Sequence, residues 1–136
     1  MKNSTQPYFH FEGNCQNAMM FYQKIFGGKL ELMPIKDSPA KDQFPSEIQD
    51  QMLHSSLVNG DFMIMASDMC GMGEVLRGNN VDINLNCESE EEINKLYQQL
   101  SEGGEVLDEL KDQFWGAKFA MLIDQFGVRW MLNYEK

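Results

Sequence analysis

Apolar positions along the chain change period in a fixed order, and that order occurs twice. Within residues 15–26, Cys15, Ala18, Met19, Tyr22, Ile25 and Phe26 are apolar. This i, i+3, i+4, i+7 stripe predicts an amphipathic helix with one face toward a core. Asn14 stands where a helix cap belongs, and Gly27-Gly28 stops the run. The aromatic stretch PYFHF, residues 7–11, precedes the helix as a strand. KLELMPI follows the glycines as a second strand; MLHSSLV and DFMIMAS make two more, turned through Asn59-Gly60.

The second half repeats the scheme. In VDINLNC, residues 81–87, Val81, Ile83, Leu85 and Cys87 alternate with Asp82, Asn84 and Asn86, the period of a half-buried strand. Ser89 and Glu92 form a capping box, with Glu90 and Glu91 also at the positive end of the coming helix. Ile93, Leu96, Tyr97 and Leu100 make the stripe, and Gly103-Gly104 ends it. EVLDEL, KFAMLID and VRWMLNY are the three following strands, the last two turned through Gln125-Phe126-Gly127.

Each half therefore reads strand, helix, three strands. The predicted fold class is α+β, one domain over 1–136 built from a βαβββ module at 7–68 and another at 79–136. A single continuous sheet is the alternative; the matched FYQK and LYQQ, each followed by paired glycines, favour duplication. In each module the helix covers one sheet face and leaves the other in need of a partner. Two such faces can enclose a shared cleft, a natural ligand site. The segment 36–50, rich in proline and charge, reads as a lid over such a cleft or as a plain surface loop. Gly71 and Gly73 read as part of the linker between modules.

Charge removes several partners. The net charge is −10, from 21 acidic and 11 basic residues, so a phosphate backbone or an acidic lipid surface is a poor match. No apolar run reaches the length of a membrane span, and MKNSTQPYF lacks the apolar block of a leader, so a cytoplasmic location is expected. Cys15, Cys70 and Cys87 are too widely spaced for a zinc knuckle and odd in number, which suits buried thiols. Eleven methionines suit a soft core or the wall of an apolar cavity.

Three stretches carry a family resemblance: YFHFEGNCQNAMMFYQKIFGGKLELM, MLHSSLVNGDFMIMASD and FWGAKFAMLIDQFGVRWMLN. Together they resemble PhnB-like proteins of the vicinal oxygen chelate superfamily, which also holds glyoxalases, bleomycin-resistance proteins and extradiol dioxygenases. The resemblance implies paired βαβββ modules and commonly a homodimer. It implies an activity less directly, because one scaffold hosts many chemistries.

Metal-using relatives that this chain resembles draw four ligands from the first and last strands of each module. The matching positions here are Pro7, Met65, Asp82 and Met131. Only Asp82 suits a hard divalent ion, so no cofactor is expected and a divalent metal is disfavoured. The only histidines, His10 and His54, leave a His10/His54/Asp82 set as the alternative. The expected function is binding of a small, partly apolar molecule by His54, Met65, Asp82, Trp115 and Met131. The other readings are a metal-dependent lyase or dioxygenase, and an antibiotic-sequestering protein. Relatives also carry a demethylubiquinone methyltransferase name, but the Gly71-Met72-Gly73 stretch has too little chain behind it for the helix that such a cofactor loop needs. Cys15, at a helix start, is the one nucleophile candidate, and a buried thiol is its plainer reading. Asp68 and Asp124 close strands and read as turn acceptors.

Overall fold

A computed structural model describes residues 5–136; the first four residues of the stretch read for a leader lie outside them. The elements run β1 (Tyr8–Phe11), α1 (Cys15–Phe26), β2 (Lys29–Pro34), β3 (Met52–Asn59), β4 (Phe62–Asp68), β5 (Ile83–Asn86), α2 (Glu90–Ser101), β6 (Glu105–Asp112), β7 (Ala117–Ile123) and β8 (Arg129–Glu135). Among the described residues, no helix is long and apolar enough to cross a membrane. The chain divides into two compact units, Met1–Leu76 and Arg77–Lys136.

The first unit is a four-stranded sheet in the order β1-β4-β3-β2, with β1 parallel to β4 and the other pairs antiparallel. The helix α1 buries Cys15, Ala18, Met19 and Tyr22 on one face of it. Phe9, Phe11, Leu57, Ile64 and Ala66 are buried apolar residues of that sheet face. Burying one such large apolar side chain contributes about 1.5–3 kcal/mol. The second unit repeats the plan as β5-β8-β7-β6. There α2 buries Ile93 and Leu100, and Ala120, Leu122, Trp130 and Leu132 are buried in the sheet.

The paired glycines have one physical cause in both units. Gly27 and Gly103 hold left-handed backbone, φ 71° and 74°. The next glycine then passes so close to the third strand that no side chain fits. A Cβ on Gly28 would sit 2.3 Å from the Val58 carbonyl oxygen, and one on Gly104 2.2 Å from that of Ile123. A hairpin amide closes each helix end: Asn59 Nδ2 donates to the Phe26 carbonyl at 2.7 Å, and Gln125 Nε2 to that of Glu102 at 3.4 Å.

The helix starts differ. Ser89 Oγ accepts from Glu92 N at 3.0 Å, and Glu92 Oε1 accepts from Glu88 N at 3.0 Å, a capping box shifted one residue outward. Asn14 makes no side-chain cap bond. Its place is taken by Asp68 at the end of β4, whose Oδ1 accepts from Gly13 N and Cys15 N at 2.8 and 3.0 Å. Asp68 Oδ2 also accepts from Met52 N at 2.8 Å, so this carboxylate ties helix, strand and loop together.

Two boundaries differ from the sequence expectation. The β3–β4 turn residues are Gly60-Asp61, because Asn59 pairs with Phe62. Val81 and Asp82 precede β5, and Val81 is 69% exposed. The 36–50 segment is a chain of short 3-10 turns. Gln49 Nε2 gathers the Lys41 and Phe44 carbonyls at 2.9 and 3.0 Å, and Lys36 pairs with Asp50 at 2.9 Å.

Candidate functional site

Strand alternation assigns every β residue of the first unit to a face. Phe9, Ser55, Ile64, Ala66 and Asp68 look toward α1, as the Cys15 Sγ to Ser55 Oγ contact at 3.5 Å shows. Tyr8, His10, His54, Ser56, Met65 and Ser67 therefore share the uncovered face. Tyr8 stands beside Met65 in register, and His10 beside Ser67. Tyr8 Oη lies 3.1 Å from His54 Nδ1, and Ser67 Oγ 3.4 Å from His10 Nδ1. The Tyr8 ring centroid is 5.3 Å from that of His10 and 5.7 Å from that of His54.

This corrects the position chosen from the sequence. Pro7 precedes β1 and has the parity of Phe9, which points to the helix side. The first-strand residue beside Met65 is Tyr8. A shift of one residue in a strand moves every side chain to the other face. It also places His10 on the same face as His54.

In the second unit the uncovered face carries Asn84, Asn86, Met121, Met131 and Asn133. Asn84, and not Asp82 as chosen from the sequence, is in register with Met131, the counterpart of the Tyr8–Met65 pair, because β5 begins only at Ile83. Asn84 Nδ2 donates to Asn86 Oδ1 at 3.1 Å. Asp82, one step beyond β5, accepts from Arg129 Nε at 3.0 Å, with both side chains about one-sixth exposed (17%). Its carboxylate is thus already held by a guanidinium. Trp115, 53% exposed in the β6–β7 turn, makes an edge-on contact with Phe119 at 6.0 Å. His54 and Met65 thus share one face of the first unit, and Met131 shares one face of the second with Asn84.

The buried polar groups on the helix sides serve the scaffold. Burial pushes the Cys15 thiol up to about 12, only partly offset by its hydrogen bond to Ser55. Burial likewise holds Cys87 at about 11. Neither forms the thiolate that nucleophilic chemistry requires near neutral pH. Asp124 accepts from Phe126 N, Val128 N and Trp130 Nε1 at 2.8, 3.1 and 2.8 Å, a turn role for its carboxylate.

Among the described residues, no three His, Cys, Asp or Glu side chains gather as a metal-binding group. The last-strand positions are thioethers, which suit soft ions and not Mg, Mn or Ca. Residues 69–82 contain no helix, so the glycines Gly71 and Gly73 lead to no helix N-terminus able to receive a nucleotide-like group.

Similarity to known proteins covers nearly the whole chain. A family model described as 3-demethylubiquinone-9 3-methyltransferase matches residues 3–133. The crystal structure of protein PA1353 from Pseudomonas aeruginosa is similar with a TM-score of 0.86 at 40% identity, over 97% of this chain and 98% of that one. A PhnB protein from Bacillus cereus gives a TM-score of 0.76 at 23% identity, over 97% and 99% of the two chains. A glyoxalase/bleomycin resistance protein/dioxygenase family enzyme from Burkholderia phytofirmans gives 0.64 at 15% identity, over 98% and 100%. The last two likenesses bear on fold alone. Two four-stranded sheets, each with one helix, are the fold of glyoxalase/bleomycin-resistance proteins, and the match over residues 3–133 leads to one assignment: the chain belongs to the 3-demethylubiquinone-9 3-methyltransferase family.

Proposed function

We propose that the protein binds a small, partly apolar molecule with its uncovered sheet faces and without a divalent metal. The observation that carries this reading is the pair of registers Tyr8↔Met65 and Asn84↔Met131. Each first-strand and last-strand position that a metal-using relative would fill with a ligand is here a phenol, a thioether or an amide. These groups favour apolar contact and hydrogen bonding over ion capture. Met65, Met131 and Trp115 would supply the apolar surface, and His54 the polar contact. Asp82 would act through Arg129, which it orients at 3.0 Å. In this reading the methyltransferase in the family's description is not the reaction. The proposal includes a homodimer, since each sheet leaves two edge strands, β1 and β2 or β5 and β6.

A metal-dependent reaction is the second reading, favoured by the two histidines on one face. Native mass spectrometry of the untagged, freshly isolated protein separates the two. Our reading expects a dimer retaining a small organic molecule and no ion. A stoichiometric Zn, Mn, Ni or Fe would overturn it in favour of the metal enzyme. Mixing the retained molecule with fresh protein would then show whether it is turned over or merely sequestered.

A further inference from the structure

The Tyr8–His54 contact carries more than a wall of a binding face. Its two atoms lie 3.1 Å apart, and each can be donor or acceptor. If Tyr8 Oη–H donates to Nδ1, the outward Nε2 of His54 keeps its proton. If Nδ1–H donates to Tyr8, the tyrosine keeps its own hydroxyl proton for another acceptor. With a neutral imidazole, either arrangement offers one donor and one lone pair beyond the pair itself. That combination matches an oxygen that accepts a hydrogen bond.

The surroundings narrow the rest of the ligand. Tyr8 is 40% exposed and His54 is exposed, so the pair is reachable on the uncovered face of the first unit. The charges that β2 carries on this face, Lys29 and Glu31, pair with each other at 3.1 Å. The whole chain is strongly acidic at −10, which opposes an anion. The rings of Tyr8, His10 and His54 lie 5.3 and 5.7 Å apart, with the Met65 strand position directly beside Tyr8. Thioethers and aromatic edges favour contact with a flat apolar body.

We propose that the Tyr8–His54 pair recognises a hydroxyl or carbonyl oxygen on a flat, uncharged ligand whose apolar body rests on Met65. This rests on the binding function proposed above and names the chemistry of its polar contact. The probes are p-cresol and toluene, which differ by one hydroxyl. The full chain, labelled at histidine nitrogens and methionine methyls, is titrated with each and followed by NMR; its two histidines give two imidazole spin systems. The expected result is that p-cresol shifts both the His54 nitrogens and the Met65 methyl, and binds about tenfold more tightly than toluene, the effect of one good hydrogen bond. Tyr8→Phe keeps the ring and should abolish that preference while leaving toluene binding unchanged. His54→Gln provides an independent variant with the same expectation. Equal affinities in the parent chain, or a preference that survives both substitutions, would overturn the inference. If both probes move the Met65 methyl but bind with equal affinity, this inference falls while the broader binding function stands. If neither moves it at saturation, both fall.

Discussion

The two units share a skeleton and differ in what they offer to a ligand. Both bring the second glycine of the pair within 2.3 Å or less, measured to a would-be Cβ, of a third-strand carbonyl oxygen. Both close the preceding helix with a hairpin amide. On the uncovered faces the likeness ends. The first unit presents a phenol, two imidazoles and two serines around Met65. The second presents three asparagines around Met131, with an Asp82–Arg129 pair at the strand end. Contacts made by the backbone tolerate no substitution, so both copies keep them. Side chains on an uncovered face are bound by no such requirement and are where the copies diverge.

The strongest way to break the comparison is at the glycines. Gly28→Ala and Gly104→Ala each force a Cβ into a carbonyl oxygen, a clash that only backbone movement relieves. We expect losses of about 3–5 kcal/mol from either, read by denaturant unfolding, the larger from Gly28, whose φ of 96° adds left-handed strain to the clash. Gly27→Ala, where the penalty is only left-handed backbone, should cost about 1–2 kcal/mol.

The helix starts should separate the units next. Asp68→Ala strands three backbone N–H donors, those of Gly13, Cys15 and Met52. With each unsatisfied buried donor worth about 1–3 kcal/mol, a loss of about 4 kcal/mol is expected. Ser89→Ala removes a single local cap and should cost about 1 kcal/mol. Equal losses from these two would contradict the contrast between a long-range and a local cap.

A further contrast concerns pH. Burial raises Cys15 from 9.0 to about 12, and Cys87 to about 11. A thiol that loses its proton more readily when unfolded stabilises the fold fully below the unfolded value, and this contribution is lost as pH rises toward the folded one. Unfolding midpoints should therefore be flat across neutral pH and fall from 9.0 toward 12, less steeply for Cys15→Ala. Iodoacetamide should leave both thiols untouched in the folded chain near neutral pH.

Much of this architecture could be read from the residues. The helical stripes, the capping box at Ser89 and Glu92 and the paired glycines are local patterns, and local patterns appear in sequence. The cap on α1 does not, because Asp68 lies 53 residues from Cys15. The faces of β1 were hidden for another reason. PYFHF is aromatic or ring-bearing throughout, so it shows no alternation to reveal that Tyr8 and His10 share a face. The pair Tyr8–His54 was equally invisible, because it forms across β4, which lies between β1 and β3 in the sheet.

Calorimetric titration of chelator-treated, untagged protein with Zn²⁺, Mn²⁺, Ni²⁺ and Fe²⁺ in turn tests most directly whether thioethers, a phenol and amides have replaced a metal centre. We predict no one-to-one binding of any of them. A single ion bound stoichiometrically, and lost on His10→Ala or His54→Ala, would contradict it.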